Sequence, residues 1–218
     1  MGLLVREGKK QEIFKMTEKS TEDDKTSQLT GTLPAEPAAL GLTGLAVAAL
    51  VIGSGYVGLT SGIDKVLMIP WILFFGGCTQ LIAGIMDFKR NNIFGATVFT
   101  IYAMAMLAIS LTLFFITFGE VTFDIAHYGY GLIAILTFTL IATFASMMAN
   151  KVLFIILVVV DIAVVGLIFH YLTGASALIG GVFLILTSVL SFYAVASILL
   201  NSMAKKTILP MGDPFWKP

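Results

Sequence analysis

The sequence has few charged residues. Asp, Glu, Lys and Arg make up 12% of its 218 residues and the formal net charge is zero, whereas hydrophobic residues make up 58%. A soluble domain usually carries about 25% charged residues, so this chain has too little polar surface to cover a soluble fold. Zero net charge also gives no reason to expect a nucleic-acid partner. The composition therefore predicts a protein whose main solvent is the lipid bilayer.

Cysteine and the motifs of enzyme active sites are also scarce. The single Cys78 excludes an internal disulfide. The sequence shows no nucleophile with a partner base, no Cys or His pair at metal-ligand spacing and no glycine-rich phosphate loop after a strand. Residues 1–20 mix lysine, arginine and glutamate without the apolar stretch of a signal peptide, so we expect the first membrane helix to direct insertion. We expect neither an enzyme nor a metal or cofactor site.

What the sequence does have is a series of long apolar runs joined by short polar loops. Each run is close to the roughly 20 residues that a helix needs to cross a bilayer. Lipid cannot hydrogen-bond the backbone, so runs of this length are expected to be helices. The runs cover residues 38–58, 66–86, 94–118, 129–149, 151–172 and 175–200. The sequence thus predicts an all-α membrane protein with six transmembrane helices.

The distribution of lysine and arginine predicts the orientation. Twelve of the 13 basic residues fall on one side of the predicted helices, and Lys65 falls on the other. Because cytoplasmic loops carry the excess of positive charge, both termini are predicted to be cytoplasmic. We divide the chain into a cytosolic tail at 1–35, a six-helix domain at 36–203 and a second cytosolic tail at 204–218. By default we expect the inner or plasma membrane.

The second predicted helix has a stripe of small and polar residues. At helical spacing the stripe contains Leu73, Gly76, Gly77, Gln80, Ala83, Gly84 and Asp87, with Ile72 turned away from it. Small residues also let membrane helices pack closely, so the glycines fit either a packing seam or a solute path. The Gln80 amide needs partners in the middle of a span, which an aqueous cavity supplies. Asp87 lies at the end of the span, where we expect it to be solvated.

Two other polar residues lie inside predicted spans. Tyr102, about two turns into the third helix, is expected either to gate a pore or, more commonly, to bond a neighbouring helix. Asp161 is the only carboxylate deep within a predicted span, where a charge costs about 2.5–3.5 kcal/mol. It is interpreted as a candidate for proton coupling, and then Asp161→Asn should flatten the pH dependence. The alternative is a protonated acid that is hydrogen-bonded between helices or subunits.

Three segments resemble a known family. Glu36–Leu42 resembles its opening signature Asn-Pro-Ala-Pro-Leu-Gly-Leu, and the run from Phe75 to Tyr102 follows its pattern through the second and third helices. Thr207–Gly212 is similar to its C-terminal Leu-Pro-Ile-Gly ending. In order and spacing the chain resembles the acetate uptake transporters, also called succinate–acetate permeases. The second segment is the most specific of the three.

The resemblance implies a six-helix protomer, usually assembled as a hexamer, with a separate path for acetate and sometimes succinate in each protomer. It implies a constriction formed by Leu45, Tyr102 and Val160 on helices one, three and five. The family more often has Phe at the position of Leu45 and Leu at the position of Val160. We therefore expect a wider constriction in this chain.

Other residues are expected along the path. Gln80 and, more weakly, Thr100 are expected to act with Tyr102 as donors to a carboxylate. Glu36 replaces the signature asparagine at the entrance, where an ionised acid should repel an anion. A narrow apolar ring rejects hydrated ions, while a small monocarboxylate can present its methyl group to the ring and its oxygens to these donors.

We expect transport of acetate or other small monocarboxylates, by a channel or a proton-coupled mechanism. A channel for a neutral solute such as urea, ammonia or acetic acid would suit an uncharged lumen equally well, and movement of charge would separate the two. A structural or sensory membrane protein without flux would fit only if the polar stripes are packing seams. The sequence leaves channel against symport, succinate selectivity and the direction of net flux open.

Overall fold

The computed structural model describes residues 35–60, 66–119, 122 and 124–217. Within them six helices are long and apolar enough to cross a membrane. The helices are α1 Ala38–Tyr56, α2 Met68–Lys89, α3 Ile93–Phe118, α4 Ala126–Ser146, α5 Lys151–Thr173 and α6 Leu178–Ala204. This confirms the predicted all-helical fold with six spans. Residues 1–34 of the predicted tail and Lys65, which is predicted to face outward, lie outside the described residues, and the orientation of the termini stays a prediction.

Two asparagines fix the short turns between helices. Asn92 caps the N-terminus of α3, and its side chain accepts a hydrogen bond from the Gly95 N–H at 3.3 Å. Asn150 caps α5 in the same way and accepts a hydrogen bond from the Leu153 N–H at 2.9 Å. Such N-caps satisfy backbone donors that the helix leaves without partners. Because both turns are short, α2 runs antiparallel to α3, and α4 runs antiparallel to α5.

The helices pack in an order different from their order in the chain. α1 packs along α6 and α2, α2 packs against α3, and α5 packs against both α6 and α4. The spatial order is therefore α3, α2, α1, α6, α5, α4, with only a slight contact between α3 and α4. We call the end that holds Glu36 and the α2–α3 and α4–α5 turns the inner end. The end that holds Tyr56 and Tyr171 is called the outer end.

The middle of α2 is not a regular α-helix. Residues Ile72–Thr79 form a π-helical segment, and the Thr79 hydroxyl donates to the Phe74 carbonyl at 2.9 Å, five residues back. The predicted stripe is correct for Gly76, Gly77, Gln80, Ala83, Gly84 and Asp87, all of which are buried. It is wrong for Ile72, which is fully buried. A π turn holds an extra residue, so spacing of 3.6 residues misplaces a side chain at its start.

The segment after α6 folds back over the inner end. The Asn201 side chain accepts from the Ile208 and Leu209 N–H groups at 2.6 and 3.0 Å and donates to the Leu209 carbonyl at 2.8 Å. Further along, the Val152 N–H donates to the Met211 carbonyl at 3.1 Å. The family-like ending thus lies against the first turn of α5, where Met211 contributes to the wall of a cavity.

Candidate functional site

Two cavities lie inside the helix bundle and meet at Leu45 and Tyr102. The inner cavity, about 340 Å³, opens toward the inner end, and the outer cavity, about 520 Å³, lies in the outer half. Leu45 of α1 and Tyr102 of α3 line both cavities. Their relative exposures are only 6% and 4%, so little space remains around them. These two side chains therefore stand at the junction between the cavities.

Val160, the third predicted constriction residue, is also buried but lines the outer cavity alone. The junction and its outer side are therefore formed by residues of α1, α3 and α5, the three helices that the resemblance implies. Leucine and valine side chains offer no hydrogen bonds, so an ion passing them has to give up hydration water.

The Tyr102 ring is held by packing and leaves its hydroxyl available. The ring meets Phe138 of α4 edge-on, with ring centroids 6.1 Å apart. The hydroxyl is buried, and its polar neighbours are the Thr139 hydroxyl and the Asp161 carboxyl. A phenol in this position can donate to a solute that passes the junction.

Gln80 lies on the wall of the inner cavity. Its side chain is fully buried, and within the described part of the chain neither its amide nitrogen nor its amide oxygen has a hydrogen-bond partner. A buried amide without partners is unusual, since most buried polar side chains are satisfied. An aqueous or liganded cavity accounts for this arrangement.

Thr100 lies outside both cavities. Its backbone and hydroxyl face Gly84, and a Cβ atom added to Gly84 would collide with the Thr100 hydroxyl. The threonine therefore belongs to the contact between α2 and α3. It does not appear among the residues that line the inner or the outer cavity.

Asp161 lies between α4 and α5, behind the cavity wall. The carboxyl is buried, and its Oδ2 accepts a hydrogen bond from the Thr143 hydroxyl at 2.8 Å. Its Oδ1 has no partner among the described residues. Neither cavity is lined by Asp161. Its predicted role in proton coupling stays a prediction.

The inner mouth brings together an ion pair and a buried acid. The Glu36 side chain, 47% exposed, lines the inner cavity and forms a 2.8 Å salt bridge with Arg90. Asp87 has no exposed surface, so the expectation that it is solvated was wrong. The first turn of α3 covers it, and a Cβ atom at Gly95 would collide with its Oδ2. The Asn92 amide donates to Asp87 Oδ1 at 3.0 Å, and both residues line the inner cavity.

A tyrosine cluster at the outer end was not found by sequence reasoning. The hydroxyls of Tyr56 and Tyr171 share a hydrogen bond, and the Tyr128 and Tyr171 rings meet edge-on with centroids 4.5 Å apart. The three tyrosines and His170 line an outer mouth of about 220 Å³. They come from α1, α4 and α5, so no local motif links them. Enrichment of tyrosine at membrane interfaces was the one available signal.

The sequence of this six-helix protein also matches the model of a known family. The family model described as the GPR1/FUN34/yaaH family matches residues 23–212. The chain belongs to this family. The predicted resemblance to the acetate uptake transporters is thereby confirmed. The protein is a multi-pass membrane protein whose relatives are transporters and channels, not enzymes.

The similar proteins share one name. The chain is 27% identical over 182 residues to proteins named succinate-acetate/proton symporter SatP from Escherichia coli strain K12 and from Shigella flexneri. Each alignment covers 82% of this chain and 96% of the relative. The fold is similar to a solved structure of the bacterial acetate channel SatP, with a TM-score of 0.77 and 26% identity. That match covers 82% of this chain and 99% of the solved chain.

Proposed function

We propose that this protein moves acetate and other small monocarboxylates across the membrane through the two cavities, between Leu45 and Tyr102. The observation that carries the proposal is that these two buried side chains line both cavities. The names of the similar proteins, a succinate-acetate/proton symporter and an acetate channel, support acetate as the substrate.

The chemistry of the walls suits a small carboxylate. Leu45 and Val160 contact the methyl group, while the Tyr102 hydroxyl and the Gln80 amide donate to the carboxylate oxygens. The Gln80 amide lacks partners among the described residues, so a bound carboxylate satisfies a group that is otherwise left unpaired. Hydrogen bonds to a charged group contribute about 1.5–3 kcal/mol, which is enough to offset part of the desolvation of the anion. Glu36 acts at the entrance, and Thr100 supports the α2 wall from the α3 side.

A neutral-solute channel is a second candidate that one observation favours. Among the described residues, those that line the two cavities include Glu36 and Asp87 but no lysine or arginine. Such walls offer an anion no opposite charge, and they would suit urea, ammonia or undissociated acetic acid. If the substrate is acetate, a proton that travels with it removes this difficulty.

The deciding experiment is acetate uptake into proteoliposomes that contain the purified full-length protein. A pH gradient is imposed while internal pH and membrane potential are recorded, and protein-free liposomes measure the leak of acetic acid through lipid. Acetate entry with proton movement supports symport, and electrogenic entry without protons supports an anion channel. Flux no greater than the leak overturns the proposal and leaves urea and ammonia as neutral-solute candidates, which their uptake would then test.

The proposed assembly is a hexamer with one path in each protomer and both termini in the cytoplasm. The resemblance supports the assembly, and the distribution of lysine and arginine supports the orientation. Large apolar side chains remain exposed on the outer half of α3, among them Phe114, Phe115 and Phe118, where lipid or another protomer can cover them. The native mass of the purified protein tests the assembly, and protease access to tagged termini in sealed vesicles tests the orientation.

A further inference from the structure

We infer that Asp87 is the group that binds the proton accompanying a carboxylate anion in the inner cavity. The inference rests on the proposed function and adds a residue and a site to it. It places the coupling acid on the wall of the pathway at the inner mouth instead of between α4 and α5.

The geometry of Asp87 gives its two oxygens different roles. Oδ1 is held by the Asn92 amide, which donates to it at 3.0 Å. Oδ2 is buried and has no hydrogen-bond partner in the described part of the chain. The side chain has no exposed surface, yet the residue lines the inner cavity. Oδ1 is therefore held by Asn92, and Oδ2, which packs against Gly95 on the same cavity wall, is the oxygen left to take a proton.

The surroundings of Asp87 do not neutralise it. From the segment before α1 the facing charge is Glu36, and from the α2–α3 turn it is Arg90, which forms a 2.8 Å ion pair with Glu36. α3 contributes the neutral Asn92, and across the cavity α5 contributes the neutral Asn150. With Asp87 ionised, these groups carry two negative charges and one positive charge. An anion in the inner cavity then meets an excess of negative charge.

Protonation of Asp87 changes this contact from repulsive to attractive. A proton from cavity water binds Oδ2, and the new O–H group donates to a carboxylate oxygen of the solute. When the pair leaves, the O–H bond breaks, the proton returns to water and Asp87 is a carboxylate again. Because each ligand favours the other, binding of the anion must raise the affinity for the proton by the same factor. Asp87 and Gln80 lie seven residues apart on one face of α2, about 10 Å along the helix.

Asp161 also has one held and one unpartnered oxygen, with Oδ2 bound to the Thr143 hydroxyl and Oδ1 unpaired among the described residues. The difference is that Asp161 lines neither cavity. The competing explanation for Asp87 is structural, since its bond to Asn92 also holds the α2–α3 turn. A test must therefore measure proton movement as well as acetate transport.

The test compares the wild type, Asp87→Asn, Asp87→Glu and Asp161→Asn as full-length proteins in proteoliposomes. Asparagine keeps an oxygen that can accept a hydrogen bond from the Asn92 amide, but it has no titratable proton. We expect Asp87→Asn to lose uphill acetate accumulation under an imposed pH gradient while downhill flux continues and becomes independent of pH. Asp87→Glu should restore proton-driven accumulation, and Asp161→Asn should behave as the wild type.

A second measurement follows proton binding without transport. Acetate is added to purified protein in weakly buffered detergent with a pH indicator, and we expect proton uptake by the wild type that Asp87→Asn loses. Wild-type proton coupling in Asp87→Asn, or loss of coupling in Asp161→Asn, would overturn the inference. If Asp87→Asn does not fold, loss of proton-driven accumulation in a folded Asp87→Glu variant would overturn it. Wild-type liposomes without acetate flux would instead overturn the proposed function.

Discussion

Tyr56 of α1 and Tyr171 of α5 are joined by a hydrogen bond between their hydroxyls at the outer end of the bundle. The two residues are 115 positions apart in the sequence, and Tyr128 of α4 packs against the Tyr171 ring. Tyr56 and Tyr128 also line both the outer mouth and the outer cavity. The hydrogen bond and the ring contact thus tie three helices together where the proposed path meets the outside.

Removing the Tyr171 hydroxyl should loosen this contact. A net hydrogen bond contributes about 0.5–1.5 kcal/mol, so we expect Tyr171→Phe to unfold about 2–4 °C below the wild type in a thermal melt. Tyr130→Phe is the matched control, because Tyr130 is 65% exposed on α4. Equal melting temperatures for the two variants would mean that the Tyr56–Tyr171 bond adds nothing to stability.

The junction predicts how Tyr102 variants select substrates. Tyr102→Ala opens the space between the cavities, so uptake of propionate and succinate should rise relative to acetate. Loss of a buried aromatic ring costs about 3–5 kcal/mol, and Tyr102→Leu serves as a more stable version. Tyr102→Phe keeps the ring and removes the donor, so acetate affinity should fall while the ratios stay near those of the wild type. Unchanged ratios in the alanine and leucine variants would remove Tyr102 from the constriction.

A substitution at Gln80 should affect acetate binding and protein stability differently. Gln80→Met keeps the length of the side chain but removes both polar atoms, so acetate binding should weaken by about 10- to 100-fold. The melting temperature should stay the same or rise, since the buried amide has no partner among the described residues. Thr137→Val on the exposed face of α4 is the control and should change neither value. A fall in stability with normal acetate binding would make Gln80 a structural residue.

The number of helices was predictable because bilayer thickness sets the length of every span. The start of α5 at Lys151 was predicted correctly, since the preceding Asn150 is a strong cap. α4 begins at Ala126 instead of 129, and α6 continues to Ala204 instead of 200. Hydropathy marks where a helix enters lipid, while hydrogen bonds decide where it ends.

The site was predictable only where one helix determines it. Helical period put Gln80 on the buried stripe of α2, the resemblance named Tyr102, and both line cavities. Burial of Asp87 depends on the first turn of α3 folding over it, which no spacing within α2 reveals. The tyrosine cluster depends on three helices, and the position of Ile72 depends on a π turn. In each case the missing information was a contact between segments or a departure from regular helix geometry.

The width of the junction should determine how large an acid can pass. Leu45→Phe combined with Val160→Leu introduces the larger side chains that the family resemblance implies, one at the junction and one on its outer side. Because both side chains are buried, added volume has to narrow the path instead of moving into lipid. We expect uptake of propionate to fall more than uptake of acetate, measured as the ratio of initial rates in proteoliposomes. Leu50→Phe with Val165→Leu makes the same changes on exposed faces of α1 and α5 and should leave the ratio unaltered. If both double variants keep the wild-type ratio, selection by size takes place elsewhere, and the outer tyrosine cluster becomes the next place to look.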